Sequence, residues 1–287
     1  MLKNKADIKM ILYLIITTTL LFAQWQYGFN LFVYIFTLYF AITVAIIAHN
    51  HNHLAIWNSS VLNHITDYWI SLLYGFPAFG WIPTHNRNHH KFNNKDGDYT
   101  ITYRISEKNN LFTLLSYPGI SSYYQQSPIM NYLRLLWSTN KVHFFLAIGQ
   151  YLALGILLGL TLYLDWQKAI LYIIIPHQVS LFSVLVFNYI QHVHADEESD
   201  YNHSRNFVSK FSGFMLFNNG LHTVHHLKAN THWSELRISH DKVKHLIDPK
   251  LNQHTVIGYL IKTYLVAPFL SSYRTSSMRL TRIRNRE

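Results

Sequence analysis

Four stretches of the chain contain no Asp, Glu, Lys or Arg: Met10–Tyr27, Phe29–Ala48, Val142–Leu164 and Ala169–Ile190. Each is close to the roughly 20 residues that a helix needs to cross the hydrocarbon of a bilayer. A backbone in hydrocarbon must satisfy its own hydrogen bonds, so runs of this length are predicted as helices. The first run is the weakest, diluted by Thr17, Thr18, Thr19 and Gln24. It does not read as a cleavable signal peptide, because no small-residue cleavage site follows and a second apolar run begins at once. Gly28 joins the first two runs and Asp165–Lys168 the last two, which predicts two helical hairpins. A shorter run, Tyr68–Ile82, is broken by Gly75, Pro77 and Gly80 and is expected to be interfacial or re-entrant. The expected fold is an all-α integral membrane protein. Its four transmembrane helices would carry a helical cytosolic cap and interfacial amphipathic helices, within a single domain spanning 1–287.

Charge gives the orientation. Of 24 Lys and Arg, only Lys168 falls in a hairpin tip. The positive-inside bias then makes the side carrying the N terminus, the middle loop and the C terminus cytoplasmic, with residues 49–141 and 191–287 forming that face. A bacterial inner membrane is preferred over an endoplasmic reticulum. The net charge of +10 is thereby accounted for without nucleic acid. The basic tail, Arg274, Arg279, Arg282, Arg284 and Arg286, suits either an anionic membrane surface or plain solvent. Ser127-Pro128 reads as a helix start, with Ile129, Leu133, Leu136 and Trp137 on one apolar face. Thr255–Ser271 is a second amphipathic stretch of the same kind.

The chain has no Cys, which excludes disulfides, thiolate metal sites and a cysteine nucleophile. It has 19 His, more than Asp and Glu together (14), and metal is the simplest explanation. The histidines cluster. His49 and His53, with His51 between them, lie one turn apart at the end of the second run; His85 and His89 repeat that spacing, with His90 adjacent. His222 faces both His225 and His226, and Asn188 and His192 sit one turn apart at the end of the fourth run, with His194 just beyond. All four clusters are predicted on one side of the membrane. Nine imidazoles exceed what one tetrahedral zinc needs and suit two metals with open positions; such a set suits iron, with copper and zinc left open by ligand type.

These clusters, together with Asn188-Tyr189-Ile190-Gln191-His192, Phe217 through His226 and His232-Trp233-Ser234, resemble the integral-membrane fatty acid desaturase family over roughly residues 30–245. The resemblance departs in the first box, where H-x3-H stands in place of the H-x4-H of many members. It implies a di-iron centre held by His49, His53, His85, His89, His90, His192, His222, His225 and His226, with Asn188 reaching one iron through water. It also implies dioxygen as co-substrate, an acyl-lipid, acyl-CoA or acyl-carrier substrate among membrane lipids, and a C=C bond as the product. With no His-Pro-Gly-Gly signature of a fused cytochrome b5, electrons are expected from a separate donor of cytochrome b5, ferredoxin or rubredoxin type. A lipid or carotenoid hydroxylase or ketolase on the same scaffold is the alternative. Of other classes, a histidine-rich transporter is disfavoured because ionisable residues avoid the spans, and a non-enzymatic scaffold would not need the histidines.

Beyond the ligands, Asp67, Asp96, Asp98, Asp196 and Asp241 are candidate acceptors for ligand-ring N–H groups. Arg87, Lys91 and Arg205 are candidates to hold an anionic head group. His177, mid-span after Pro176, is expected to satisfy backbone groups near the proline kink rather than to bind metal. Of the remaining histidines, His203 has the best claim to a site role.

Overall fold

A computed structural model describes residues 1–287. It is mostly helical, with almost no strand. The main helices, in chain order, are α1 (Ile8–Tyr27), α2 (Leu31–His53), α3 (Ser60–Tyr74), α4 (Leu111–Thr139), α5 (Lys141–Leu164), α6 (Ile175–His192), α7 (Lys210–Met215), α8 (His222–Leu227), α9 (Leu236–Val243), α10 (Val256–Leu260) and α11 (Met278–Arg284). A π-helix, Ile82–His89, lies between α3 and α4, and the only sheet pairs β1 (Asn206–Phe207) in parallel with β2 (Asn252–Gln253). Four continuous helical stretches are long and apolar enough to cross a bilayer: Lys5–Tyr27, Leu31–His53, Lys141–Leu164 and Trp166–His192. They coincide with the predicted runs and extend them at their polar ends. Their outward side chains include Phe22, Phe32, Leu152 and Ile156, each more than half exposed, which is the pattern of a surface solvated by lipid.

The chain forms two compact units of interleaved segments, residues 1–86 with 126–184 and residues 87–125 with 185–287. In the first unit α1 packs along α2, and α3 packs on both α2 and α5. The Asn30 side chain caps α2 by accepting from the Val33 amide, and Asn140 caps α5 in the same way through His143. The polar side chains buried here are hydrogen-bonded to one another or to backbone carbonyls of the spans. Gln24 donates to Thr37 at 2.5 Å, Ser180 to the Ala41 carbonyl at 2.7 Å and Trp69 to Thr18 at 2.9 Å. The Tyr68–Ile82 stretch is not one element. It holds the end of α3, a left-handed stop at Gly75 (φ +83°) and a short 3-10 turn, Ala78–Gly80. His177 differs from expectation in its partner. Its Nε2 donates across to the Leu72 carbonyl in the last turn of α3 at 2.8 Å, rather than to its own kinked helix.

The helix start predicted at Ser127-Pro128 is overturned. Helix α4 begins at Leu111, where Asn110 and Thr113 cap each other reciprocally, and runs on through Pro118 and Pro128. The predicted apolar face is half right. Ile129, Leu133 and Leu136 are buried against Phe79 and Ala147, whereas Trp137 is half exposed beside Phe144. The buried face of Ile129, Leu133 and Leu136 helps hold the helix together despite two missing backbone donors.

The second unit is organised around a core of Leu114, Tyr117, Tyr189, Ile190, Val193, Phe207, Tyr259 and Tyr264. The β1–β2 pair, extended by Val208 N–H to the Gln253 carbonyl and Ser209 N–H to the His254 carbonyl, starts α7 and α10 side by side. Arg205, a head-group candidate from sequence, is corrected to a core residue. It is 3% exposed, donates to the carbonyls of Ile190 and Val193, and stacks its guanidinium on the Tyr259 ring at 4.6 Å. The basic tail is corrected as well, because most of it is neutralised by carboxylates. Arg279 bonds Glu107, Arg282 bonds Asp196, Glu197 and Glu198, and Arg286 bonds Glu198.

Candidate metal centre

The second unit brings four imidazoles together. The ligand nitrogens of His89, His192, His222 and His226 all lie within 4.8 Å of one another. His192 ends α6, His222 and His226 share one face of α8, and His89 closes the π-helix. The closest approaches are all between Nε2 atoms: His89 to His192 at 3.1 Å, His192 to His222 at 2.9 Å and His222 to His226 at 3.1 Å.

The partners of the opposite nitrogens determine what those approaches mean. His89 Nδ1 is 2.8 Å from Asp98 Oδ2 and His192 Nδ1 is 3.2 Å from the His203 carbonyl. A carboxylate and a carbonyl can only accept, so both Nδ1 atoms carry the proton and both Nε2 atoms present bare lone pairs. Two lone pairs at 3.1 Å repel unless a cation lies between them. The spacing also suits a metal. With a metal–imidazole bond of about 2.1 Å, an octahedral edge is about 3.0 Å and a tetrahedral edge about 3.4 Å. The observed 2.9–3.1 Å falls within the span a shared metal ion requires. The residues present therefore fit a metal ion with an imidazole preference.

Asp98 is held for its task. It sits just after a turn at Gly97 (φ +95°) and is 1% exposed. It accepts from the Asn94 and Thr100 amides and the Thr100 hydroxyl as well as from His89. Burial alone would push its carboxyl up. The His89 ring, with the hydrogen bonds from His89 and Thr100, outweighs burial and holds it well below the usual carboxylate range. Of the five candidate acceptors from sequence, Asp98 alone bonds a ring of this group. Asp67 lies 3.4 Å from His51, Asp196 pairs with Arg282, Asp241 with Lys244, and Asp96 is exposed in the turn.

Two other imidazole sets complete the predicted residues. In the first unit His49, His53 and His85 meet with ring centroids 4.7–5.0 Å apart, and His49 Nε2 is 3.0 Å from His85 Nε2. The side-chain oxygen of Asn50 accepts from His49 Nδ1 at 3.2 Å, again leaving Nε2 bare. In the second unit His90 and His225 approach Nε2 to Nε2 at 3.0 Å, and His90 stacks on His226 with centroids 4.5 Å apart. The one-turn pairing expected of His85 and His89 is corrected. The π-helix turns the two rings apart, so that His85 meets His49 and His89 meets His192. His222 likewise keeps His226, at i+4, while His225 turns to His90. Asn188 belongs to none of these sets; its amide donates to the Tyr117 hydroxyl at 2.5 Å.

His203, given a site role in the sequence only by its surroundings, backs the four-imidazole group directly. Its carbonyl bonds His192 and its ring lies 5.6 Å from that of His226. Burial, helped by the neighbouring His89, pushes its imidazole down to about 4. His226, outside the spans, is pushed down by burial and the surrounding rings, so it is neutral and available to metal at physiological pH. His51 and His194 stand outside the sets. His51 accepts from the Ile56 amide, and His194 lies between Thr275 and the Glu107 carbonyl.

Searches of curated proteins and of solved structures return no match. The family model described as fatty acid desaturase matches residues 23–257, a stretch that includes every one of these histidines and most of the chain. The chain belongs to the fatty acid desaturase family, whose members are oxidoreductases that use iron.

Proposed function

We propose that the protein is a membrane-bound acyl-lipid desaturase with a histidine-ligated di-iron centre. The nine histidines predicted from sequence would hold two irons between them, with His89, His192, His222 and His226 sharing one, and Asn188 would reach an iron through water. The observation that carries this reading is the convergence of four Nε2 atoms, successive pairs 2.9–3.1 Å apart, with the lone pairs of His89 and His192 left bare by Asp98 and the His203 carbonyl. When bound, the metal pair supplies dioxygen activation strong enough to take hydrogen from an unactivated methylene group, with electrons from a separate cytochrome b5, ferredoxin or rubredoxin type donor. The chain contributes placement: Asp98 and His203 hold ring orientation, and the near-complete burial of His89 and His192 excludes water.

Expression in a host of known lipid composition, followed by fatty acid profiling, tests this. Wild type is expected to give acyl chains with two hydrogens fewer than their precursors, and His225→Ala none. Products that gain one oxygen instead would assign hydroxylation. An unchanged product in His225→Ala would end the metal reading.

A further inference from the structure

Four residues beyond His192 the chain enters an acidic run, Asp196-Glu197-Glu198, followed by Asp200. This run is part of the loop that returns to His203, whose carbonyl orients the His192 ring. The loop is closed at its neck by the Asp196 amide on the Asn202 carbonyl (2.9 Å). Four carboxylates within five residues repel one another, and Glu197 is only 5% exposed. The countercharge comes from the C-terminal segment. Arg282 bonds Asp196 and Glu197, each at 2.7 Å, and Glu198 at 2.9 Å. Arg279 bonds Glu107 at 2.5 Å, forms an ion pair with Glu197 at 3.2 Å, and stacks over Tyr103 at 4.0 Å. The Met278 amide also bonds the His194 carbonyl, and its side chain packs with Ala195, Ile247 and Leu251. A crevice reaches His192 from this side. Thr102, Tyr103, Glu107 and His192 line it, and Ser277 and Arg279 of the tail complete its wall.

We propose that Arg279 and Arg282 are positioning residues of the metal centre. They latch the acidic loop behind His192, and so govern how firmly the centre keeps its metal. The inference rests on the reading that His192 is a ligand. Neither arginine touches a ligand ring, so the effect passes through the loop and the His203 carbonyl.

The test uses the full-length protein in detergent, loaded with ferrous iron and challenged with the chromogenic chelator ferrozine. The expected result is iron loss on the order of 10-fold faster in Arg282→Ala than in wild type, the scale of a lost supporting contact at a metal ligand. Arg282→Lys, with the charge but not the planar fork, should fall between them. Arg237→Ala serves as the structural control. Arg237 anchors the Val208 and Ser209 carbonyls, away from this loop, and its loss should lower thermal stability without hastening iron release. If Arg282→Ala does not fold, Arg282→Lys carries the test, because it keeps the charge and loses the planar fork that spans Asp196 and Glu197. The proposal is overturned if Arg282→Ala releases iron at the wild-type rate, if Arg237→Ala releases it as fast as Arg282→Ala, or, should Arg282→Ala not fold, if Arg282→Lys releases iron at the wild-type rate. Wild type that retains no iron at all overturns the ligand reading itself, and the latch with it.

Discussion

Asp98 fixes the chemistry of His89 without touching any other ring in its group. By accepting from Nδ1 it leaves Nε2 bare, and its negative charge raises the basicity of the ring. Asp98→Asn keeps the shape but loses the charge, and iron affinity is expected to fall by roughly 10–100-fold, measured by competition with a chelator. The burial of His203 has a different consequence. Its imidazole is pushed from its ordinary value near 6.5 down to about 4, so between these values the unfolded chain binds a proton that the folded chain refuses. Stability is therefore fully present above about pH 6.5 and falls as pH drops toward 4, by about 3 kcal/mol from this residue alone. The lowered His226 acts in the same direction. Denaturant melts of metal-free protein near pH 7 and near pH 5 should show this loss, and His203→Phe should make the slope shallower.

At the level of elements, the π-helix Ile82–His89 does what an α-helix would not. It sends two histidines four residues apart to different imidazole sets, in keeping with the tendency of π-turns to occur at functional sites. The segment after β2 shows a second pattern. From Thr255 onward, Tyr259, Thr263, Tyr264 and Ala267 face the core, while Ile257, Ile261, Leu265 and Phe269 form an outward stripe, Phe269 at 86% exposed. Phe211 and Phe214 of the neighbouring α7 are also outward, and no carboxylate occurs between Glu235 and Asp200 or between Glu287 and Asp248 to oppose an anionic lipid surface. The helical part, Val256–Val266, is shorter than the predicted Thr255–Ser271 stretch, and we propose that its outward stripe lies at the membrane interface. The chain has no native Cys, so single cysteines at Ile257, Ile261, Leu265 and Phe269 can be spin-labelled in lipid nanodiscs. Labels on the stripe are expected to be shielded from a water-soluble paramagnetic nickel complex and open to oxygen; equal access to the nickel complex would refute the assignment.

Over the whole molecule, hydropathy and charge divide the chain cleanly. With Lys168 as the one cation in a hairpin tip, reporters fused to the N and C termini should both read cytoplasmic, and one fused near Gln167 should not. The four spans were legible because a run of apolar residues long enough to cross hydrocarbon has few other uses, and local composition is enough to specify it. The histidine clusters were legible for a similar reason, since their spacing is local. Their partners were not. Which rings meet depends on the π-helical twist before His89 and on where α6 and α8 end, and neither is written in a spacing rule. The roles of Arg205 and of the tail arginines were misread because a charge in sequence looks the same whether water or a carboxylate will neutralise it. Only the approach of residues 279–286 to residues 196–198 distinguishes the two. The sequence by itself determined the spans, the family and the histidine clusters, all of which follow from short-range pattern. The tertiary structure alone decided which lone pairs share a point, which carboxylate sets a tautomer and which arginines face an acid, because each of these depends on groups far apart in the chain meeting within a hydrogen bond's length.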